Sequence, residues 1–164
     1  MTKFQTAVLV HLGEMIRQVS FTDPGAHSSN IQVVKHSDAA SSAAAILYVI
    51  FFHLALQNYA EGDLFEDDGH TFNFEKKNAY IHKKYIFSNN SLSSRSADVN
   101  GQFATASWIE RVVIMGAARP TSVHLTNADG SKLTLDFEHN AETSVLTIRK
   151  PAVNTATDWT ISLL

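Results

Sequence analysis

The sequence predicts a mainly β protein, an antiparallel β-sandwich preceded by a poorly defined, partly helical N-terminal segment. Three observations lead there. From Gly62 onward short apolar segments recur at nearly regular spacing, turn residues separate them, and no helical period alternates with them. Alternation of strands with helices is what a parallel α/β sheet would require. At 164 residues the chain suffices for one ordinary core, and it falls short of the ~250 residues of a (β/α)8 barrel.

The N-terminal third is mixed in character. Ala7, Val8, Val10, Leu12, Met15, Ile16 and Val19 fit one helical stripe. The opening apolar run loosely resembles a secretion signal, but Glu14 and Arg17 follow too soon and no small-x-small cleavage site is evident, so no signal is assigned. Thr22 to Ser42 is rich in Ser, Ala, Asp and Gly, with Asp23-Pro24-Gly25 as a turn, and reads as loop with a short strand over Ile31 to Val34. Ala43 to Leu56 (AAAILYVIFFHLAL) contains His53 and is shorter than the ~20 residues that span a bilayer, so it reads as a buried strand or helix and no membrane span is expected.

Near residue 60 the pattern becomes β. Asp63-Leu-Phe-Glu and Thr71-Phe-Asn-Phe flank Asp67-Asp68-Gly69-His70, where Asp can bond its own backbone and Gly accepts positive φ. A hairpin is predicted there, with Asp67, Asp68 and Gly69 as its structural turn. Strands over Ala79 to Phe87 and Leu92 to Ala97 meet at Ser88-Asn89-Asn90-Ser91. Trp108 to Met115 (WIERVVIM) is apolar on both faces at its end, as a central strand is, and Gly116 with Pro120 stops it. Ser122 to Thr126 and Lys132 to Phe137 flank Asn127-Ala-Asp-Gly130, the second with Leu133, Leu135 and Phe137 on one face and Lys132, Thr134 and Asp136 on the other. Val145 to Lys150 and Asp158 to Leu164 complete roughly eight strands, with Pro151 punctuating between them.

Composition narrows the function classes. Apolar residues make up 45% and charged residues 18%, with ten Phe, two Trp and four Tyr as core material, so a packed fold is expected. A net charge of -3 with no Lys/Arg run beyond a pair offers no surface for phosphate backbones, and nucleic acid is set aside as a partner. The absence of Cys removes disulfides, thiolate metal sites and cysteine nucleophiles together. The eight histidines show no H-E-x-x-H or other ligand spacing, and no G-x-S-x-G, P-loop or G-x-G-x-x-G occurs, so no metal, cofactor or nucleotide is expected.

Glycoside hydrolysis needs two carboxyl groups flanking the scissile bond. The candidates are Glu66-Asp67-Asp68, Asp136 with Glu138, and Glu110. Asp67 and Asp68 have a turn-forming explanation, Asp136 and Glu138 fall on the solvated face of a strand end, and Glu110 stands alone beside Arg111. No catalytic residue is therefore assigned. Aromatic rings can stack on sugars, which makes Trp108 and Trp159 candidate stacking residues, with Tyr80, Tyr85 and Phe72 also available. Strand aromatics of this kind more often serve a core.

One run resembles a family signature. GDLFEDDGHTFNF, Gly62 to Phe74, resembles the G-E-L-(F/Y)-x-D-D-G-x-(S/T)-F pattern near the end of family 31 glycoside hydrolases. WIERVVIMG, Trp108 to Gly116, is similar to a late strand of the same family, and ETSVLTIRKPAVN with DWTI is similar to the C-terminal end of its glucosidase II branch. The resemblance runs from about Leu54 to Leu164, and residues 1–53 lie outside it. It implies a distal C-terminal β-sandwich domain over 54–164, whose partner is the catalytic (β/α)8 barrel of a complete α-glucosidase. The family's catalytic W-N-D-M motif does not occur here, so the resemblance implies a non-catalytic accessory domain, and this chain alone is expected to be inactive. A glucosidase II β subunit as partner and the endoplasmic reticulum lumen as location are implied by the same resemblance. The alternative is a stand-alone carbohydrate-binding module.

Overall fold

The computed structural model describes residues 31–36, 47–53 and 58–164. They form β1 (Ile31–His36), β2 (Leu47–His53), β3 (Ala60–Asp67), α1 (Asn73–Lys77), β4 (Tyr80–Ser88), β5 (Ser91–Ser96), β6 (Trp108–Met115), β7 (Val123–Asn127), β8 (Lys132–Thr134), β9 (Phe137–Asn140), β10 (Val145–Asn154) and β11 (Trp159–Leu163). The helical stripe predicted over Ala7 to Val19 and the turn at Asp23-Pro24-Gly25 lie outside the described residues.

The predicted sandwich is present. One sheet has the order β1-β2-β6-β10-β9 and the other β3-β4-β5-β11-β7-β8. Every pairing is antiparallel except β2 with β6, which is parallel. Alternate residues of each strand point inward, so Ile50, Phe52, Ile109, Val112, Ile114, Leu146 and Ile148 of the first sheet bury against Leu64, Tyr85, Phe87, Leu92, Leu125, Trp159 and Ile161 of the second. Phe52 and Phe87 meet across the layer with ring centroids 6.0 Å apart.

The apolar run at Ala43 to Leu56 supplies the strand β2, and Ile50 and Phe52 are fully buried. The first sheet therefore extends across residue 53, upstream of the stretch that resembles the family. β6 is central, as its two-sided apolar pattern requires, and Glu110 bulges out of register between Ile109 and Arg111. The β4–β5 hairpin turns through Asn89 and Asn90, both at positive φ (50° and 55°), the conformation that tight hairpins require and Asn tolerates.

Four sequence expectations are corrected. Thr71-Phe-Asn-Phe is not the return strand of a hairpin: Asn73 begins α1, and β3 pairs with β4 instead. Lys132 to Phe137 is not one strand, since β8 pairs with β7 in one sheet while β9 pairs with β10 in the other, the chain crossing between sheets at Leu135 and Asp136. Leu133 is accordingly 54% exposed, Leu135 buried and Phe137 half-buried, so the three do not share one buried face. Pro151 lies inside β10 at an irregularity flanked by Lys150 and Ala152, both at positive φ, where a missing N–H costs no ladder bond.

Candidate functional site

Strand β3 has two unlike faces. Leu64 and Glu66 point into the sandwich, while Glu61, Asp63 and Phe65 stand on the outer face. On that outer face Phe65 stacks on Tyr80 with centroids 5.0 Å apart and planes 20° from parallel. Phe74 meets Phe65 edge-on at 6.4 Å, and Phe72 lies 6.2 Å from Phe74. Tyr80 is backed by Gly101, where a Cβ would come within 2.6 Å of the Tyr80 carbonyl oxygen and 2.9 Å of its ring, a contact only glycine permits.

Mutually bonded polar and charged groups border this aromatic cluster. The Tyr80 hydroxyl donates to Asp98, which raises the phenol's pKa and lowers that of the carboxyl. His82 Nε2 lies 3.3 Å from Asp63, and Lys84 Nζ 3.3 Å from Glu61, which also accepts from the Tyr59 hydroxyl at 2.8 Å. The Tyr59 hydroxyl, then Lys84, holds the Glu61 carboxyl below its ordinary range.

The connection after β3 is built by its aspartates. Asp67 Oδ1 accepts the Gly69 N–H at 2.9 Å, and Gly69 takes φ +68°. Asp68 accepts the N–H groups of His70 and Thr71 at 3.0 and 2.9 Å and the Thr71 hydroxyl at 2.6 Å. Those bonds, the Thr71 hydroxyl first, lower the Asp68 pKa to about 2. Thr71 in turn accepts the Asn73 N–H that opens α1.

On the inward face, Glu66 is only 6% exposed and meets three hydroxyls. Thr105 and Ser107 donate to its Oε1, each at 2.7 Å, and Thr155 donates to its Oε2 at 3.0 Å. This ties β3 to the segment before β6 and to the β10–β11 connection. Nearby, the buried Lys83 amine bonds Asp158 at 2.5 Å, the Ala156 carbonyl at 3.2 Å and the Ser96 hydroxyl at 3.3 Å. The sequence reading grouped Glu66 with Asp67 and Asp68 as candidate carboxylates and put it at the end of the strand before the turn, with no burial assigned. The signal that finds it is alternation, because Glu66 shares a face with Leu64.

The two Trp residues lie apart. Trp159 is 1% exposed and packs on Tyr85 with centroids 5.9 Å apart, so neither ring presents a face to a sugar. Trp108 is half-buried on β6, on the opposite side of the strand from buried Ile109, and its Nε1 donates to Glu110 at 3.3 Å. Among the described residues the exposed rings are Tyr59, Phe65 and Phe72, at 42%, 51% and 67%, and not the Trp pair.

Asp136 and Glu138, the other pair of candidate carboxylates, are both exposed. Glu138 is bridged to Arg149 at 2.8 Å, which lowers its pKa, and exposed Asp136 lends its carbonyl to the Arg149 N–H. A cavity of 330 Å³ lined by Phe87, Asn90, Arg119, Thr121 and Leu163, among others, has no Asp or Glu in its wall. His124 sits between the hydroxyls of Ser122 and Thr134, and His139 Nε2 bonds the Ala117 carbonyl. Among the described residues no three His, Asp or Glu side chains gather to hold a metal ion, and no helix is long and apolar enough to cross a membrane.

No family model matches the chain. Among curated proteins, neutral alpha-glucosidase AB of Homo sapiens is 47% identical over 114 residues, 70% of this chain and 12% of its own length. Neutral alpha-glucosidase C of Homo sapiens is 30% identical over 112 residues, 68% of this chain and 12% of its length. Among solved structures, the ER glucosidase II heterodimeric complex of catalytic subunit and the binding domain of the regulatory subunit superposes with TM-score 0.68 and 26% identity, covering 84% of this chain and 17% of that one. The chain thus spans about one-eighth of the length of the curated relatives it resembles. Identity of 47% carried on a shared β-sandwich makes this stretch of the chain a homologue of the neutral α-glucosidases and a sequence of glycoside hydrolase family 31.

Proposed function

We propose that the sandwich is a non-catalytic C-terminal accessory domain of an α-glucosidase of the glucosidase II type, with residues 54–164 as its family-like part and residues 1–53 outside the family pattern. In the complete enzyme it packs beside the catalytic (β/α)8 barrel that breaks O-glycosyl bonds during glycan processing. The observation that carries this reading is the match of 114 residues to only 12% of a neutral α-glucosidase. The engagement of Asp67, Asp68 and Glu66 in turn and core hydrogen bonds supports it, since a hydrolase of this kind needs two carboxyl groups facing a substrate cleft. A regulatory β subunit as a further partner, and the lumen of the endoplasmic reticulum as the place of action, follow from the likeness to the glucosidase II complex.

A segment swap tests the proposal. The 114-residue matching stretch of human neutral α-glucosidase AB is replaced by the corresponding residues of this chain. The swap protein is expected to fold and hydrolyse an α-glucoside, whereas the host with the stretch deleted is not. A swap protein as inactive as the deletion would contradict the reading.

A further inference from the structure

The aromatic cluster formed by the outer face of β3 and β4 and the connection between them lies outside the core of the sandwich. The core is complete without it, yet Phe65 and Phe72 expose 51% and 67% of their surface, and Val99, next to the Asp98 that bonds Tyr80, exposes 84%. Contiguous exposed aromatics with a polar border have the composition of an interface.

Three occupants fit an aromatic face: a sugar, a second copy, or the rest of an enzyme. A sugar needs a free ring face and unengaged polar groups around it. Here Tyr80 stacks on Phe65 at 5.0 Å, and the bordering Asp63, Asp98 and Glu61 already bond His82, Tyr80, Lys84 and Tyr59. A second copy has no feature on this surface that favours it. The longer relatives, of which the matched stretch is 12%, join this sandwich to a body several times its size. That body needs a seat on the sandwich.

We infer that the patch of Phe65, Phe72, Phe74 and Tyr80 is the face by which the sandwich seats against the catalytic body of a family 31 α-glucosidase, with the bonded polar groups around it as its rim. The inference rests on the accessory-domain reading above. Phe65 and Phe72 are its anchors, as buried aromatics are in protein interfaces generally.

The test places Phe65→Ser with Phe72→Ser, and Phe72→Ser alone, in two settings: the full 164-residue chain and the swap protein. In the chain alone Phe72→Ser is expected to leave the urea midpoint in place, because that ring is 67% exposed, and the double variant to lower it only by the Phe65–Tyr80 stacking it removes. In the swap protein the double variant is expected to lose activity about tenfold faster at elevated temperature, the change that ~1.4 kcal/mol produces in a rate. Phe72 lies outside any strand, so its single variant reads the interface even if the double one disturbs β3. Equal loss in both settings, or no loss in either, overturns the inference. Self-association of the chain or its binding to maltotriose, abolished by the variants while the swap protein is unaffected, overturns it in favour of those occupants. An inactive unsubstituted swap protein overturns the accessory-domain reading and this inference together; an active one indifferent to both variants overturns this inference alone.

Discussion

Removing the buried carboxylate of Glu66 is expected to destabilise the sandwich despite relieving a buried acid. Glu66 accepts three hydroxyl donors at 2.7, 2.7 and 3.0 Å while 6% exposed. At about 1 kcal/mol net for each bond, Glu66→Ala forfeits ~3 kcal/mol and leaves three hydroxyls without their acceptor. Part of that is returned, since a carboxylate need no longer be held away from water. The expected net loss is about 2–4 kcal/mol, against about 1–2 kcal/mol for Glu66→Gln, whose amide oxygen keeps an acceptor for Thr105 and Ser107. Urea unfolding followed by the fluorescence of buried Trp159 reads the difference. With m unchanged, the midpoint of Glu66→Ala should fall by about 1–2 M. An alanine variant as stable as the parent, or more so, would refute the claim that these bonds outweigh the cost of burial.

Three further outcomes follow from the same geometry. Asp68 titrates at about 2, below its ordinary 3.8, so its bonds stabilise the fold above pH 3.8 and that stabilisation is lost as pH falls through about 2. Thr71→Val removes the hydroxyl at 2.6 Å, and carboxyl NMR should show the Asp68 midpoint moving up toward 3.8; an unmoved midpoint would deny the bond. Trp159→Ala empties a site 1% exposed and should cost about 3–5 kcal/mol in urea unfolding, and a loss under ~1 kcal/mol would contradict its place in the core. Gly101→Ala forces a methyl against the Tyr80 carbonyl and ring, so the Tyr80 and Phe65 ring resonances should shift while those of Trp159 hold; unshifted Tyr80 resonances would deny the close approach.

Local chemistry made much of this fold legible, and long-range pairing was the part it left dark. The end of β6 was readable because Val112 to Met115 is a continuous apolar run closed by Gly116, at φ +84°. The β4–β5 hairpin was readable from Asn89-Asn90, since few other residues accept positive φ twice in succession. The crossing at Leu135 and Asp136 was not, because period-2 alternation is the same whether a strand stays in one sheet or leaves it for another. Nor was the parallel pairing of β2 with β6, which joins segments more than fifty residues apart. The helical turn at Asn73 was hidden by a strand-like Phe-Asn-Phe whose start is fixed instead by the Thr71 hydroxyl. At the site, β3 was read as a strand without carrying its alternation through: that step alone places Glu66 inward and Phe65 outward. The burial of Trp159 was open to the same step, since Trp159 alternates onto the face of β11 that carries Ile161 and Leu163.

In the proposed accessory role this chain contributes structure to an α-glucosidase and none of its bond-breaking chemistry. The most direct measurement is the hydrolysis of a chromogenic α-glucoside by the purified 164-residue protein. The expected rate equals that of buffer at every substrate concentration and pH. Saturable release of the chromophore that disappears when the protein is unfolded would contradict it.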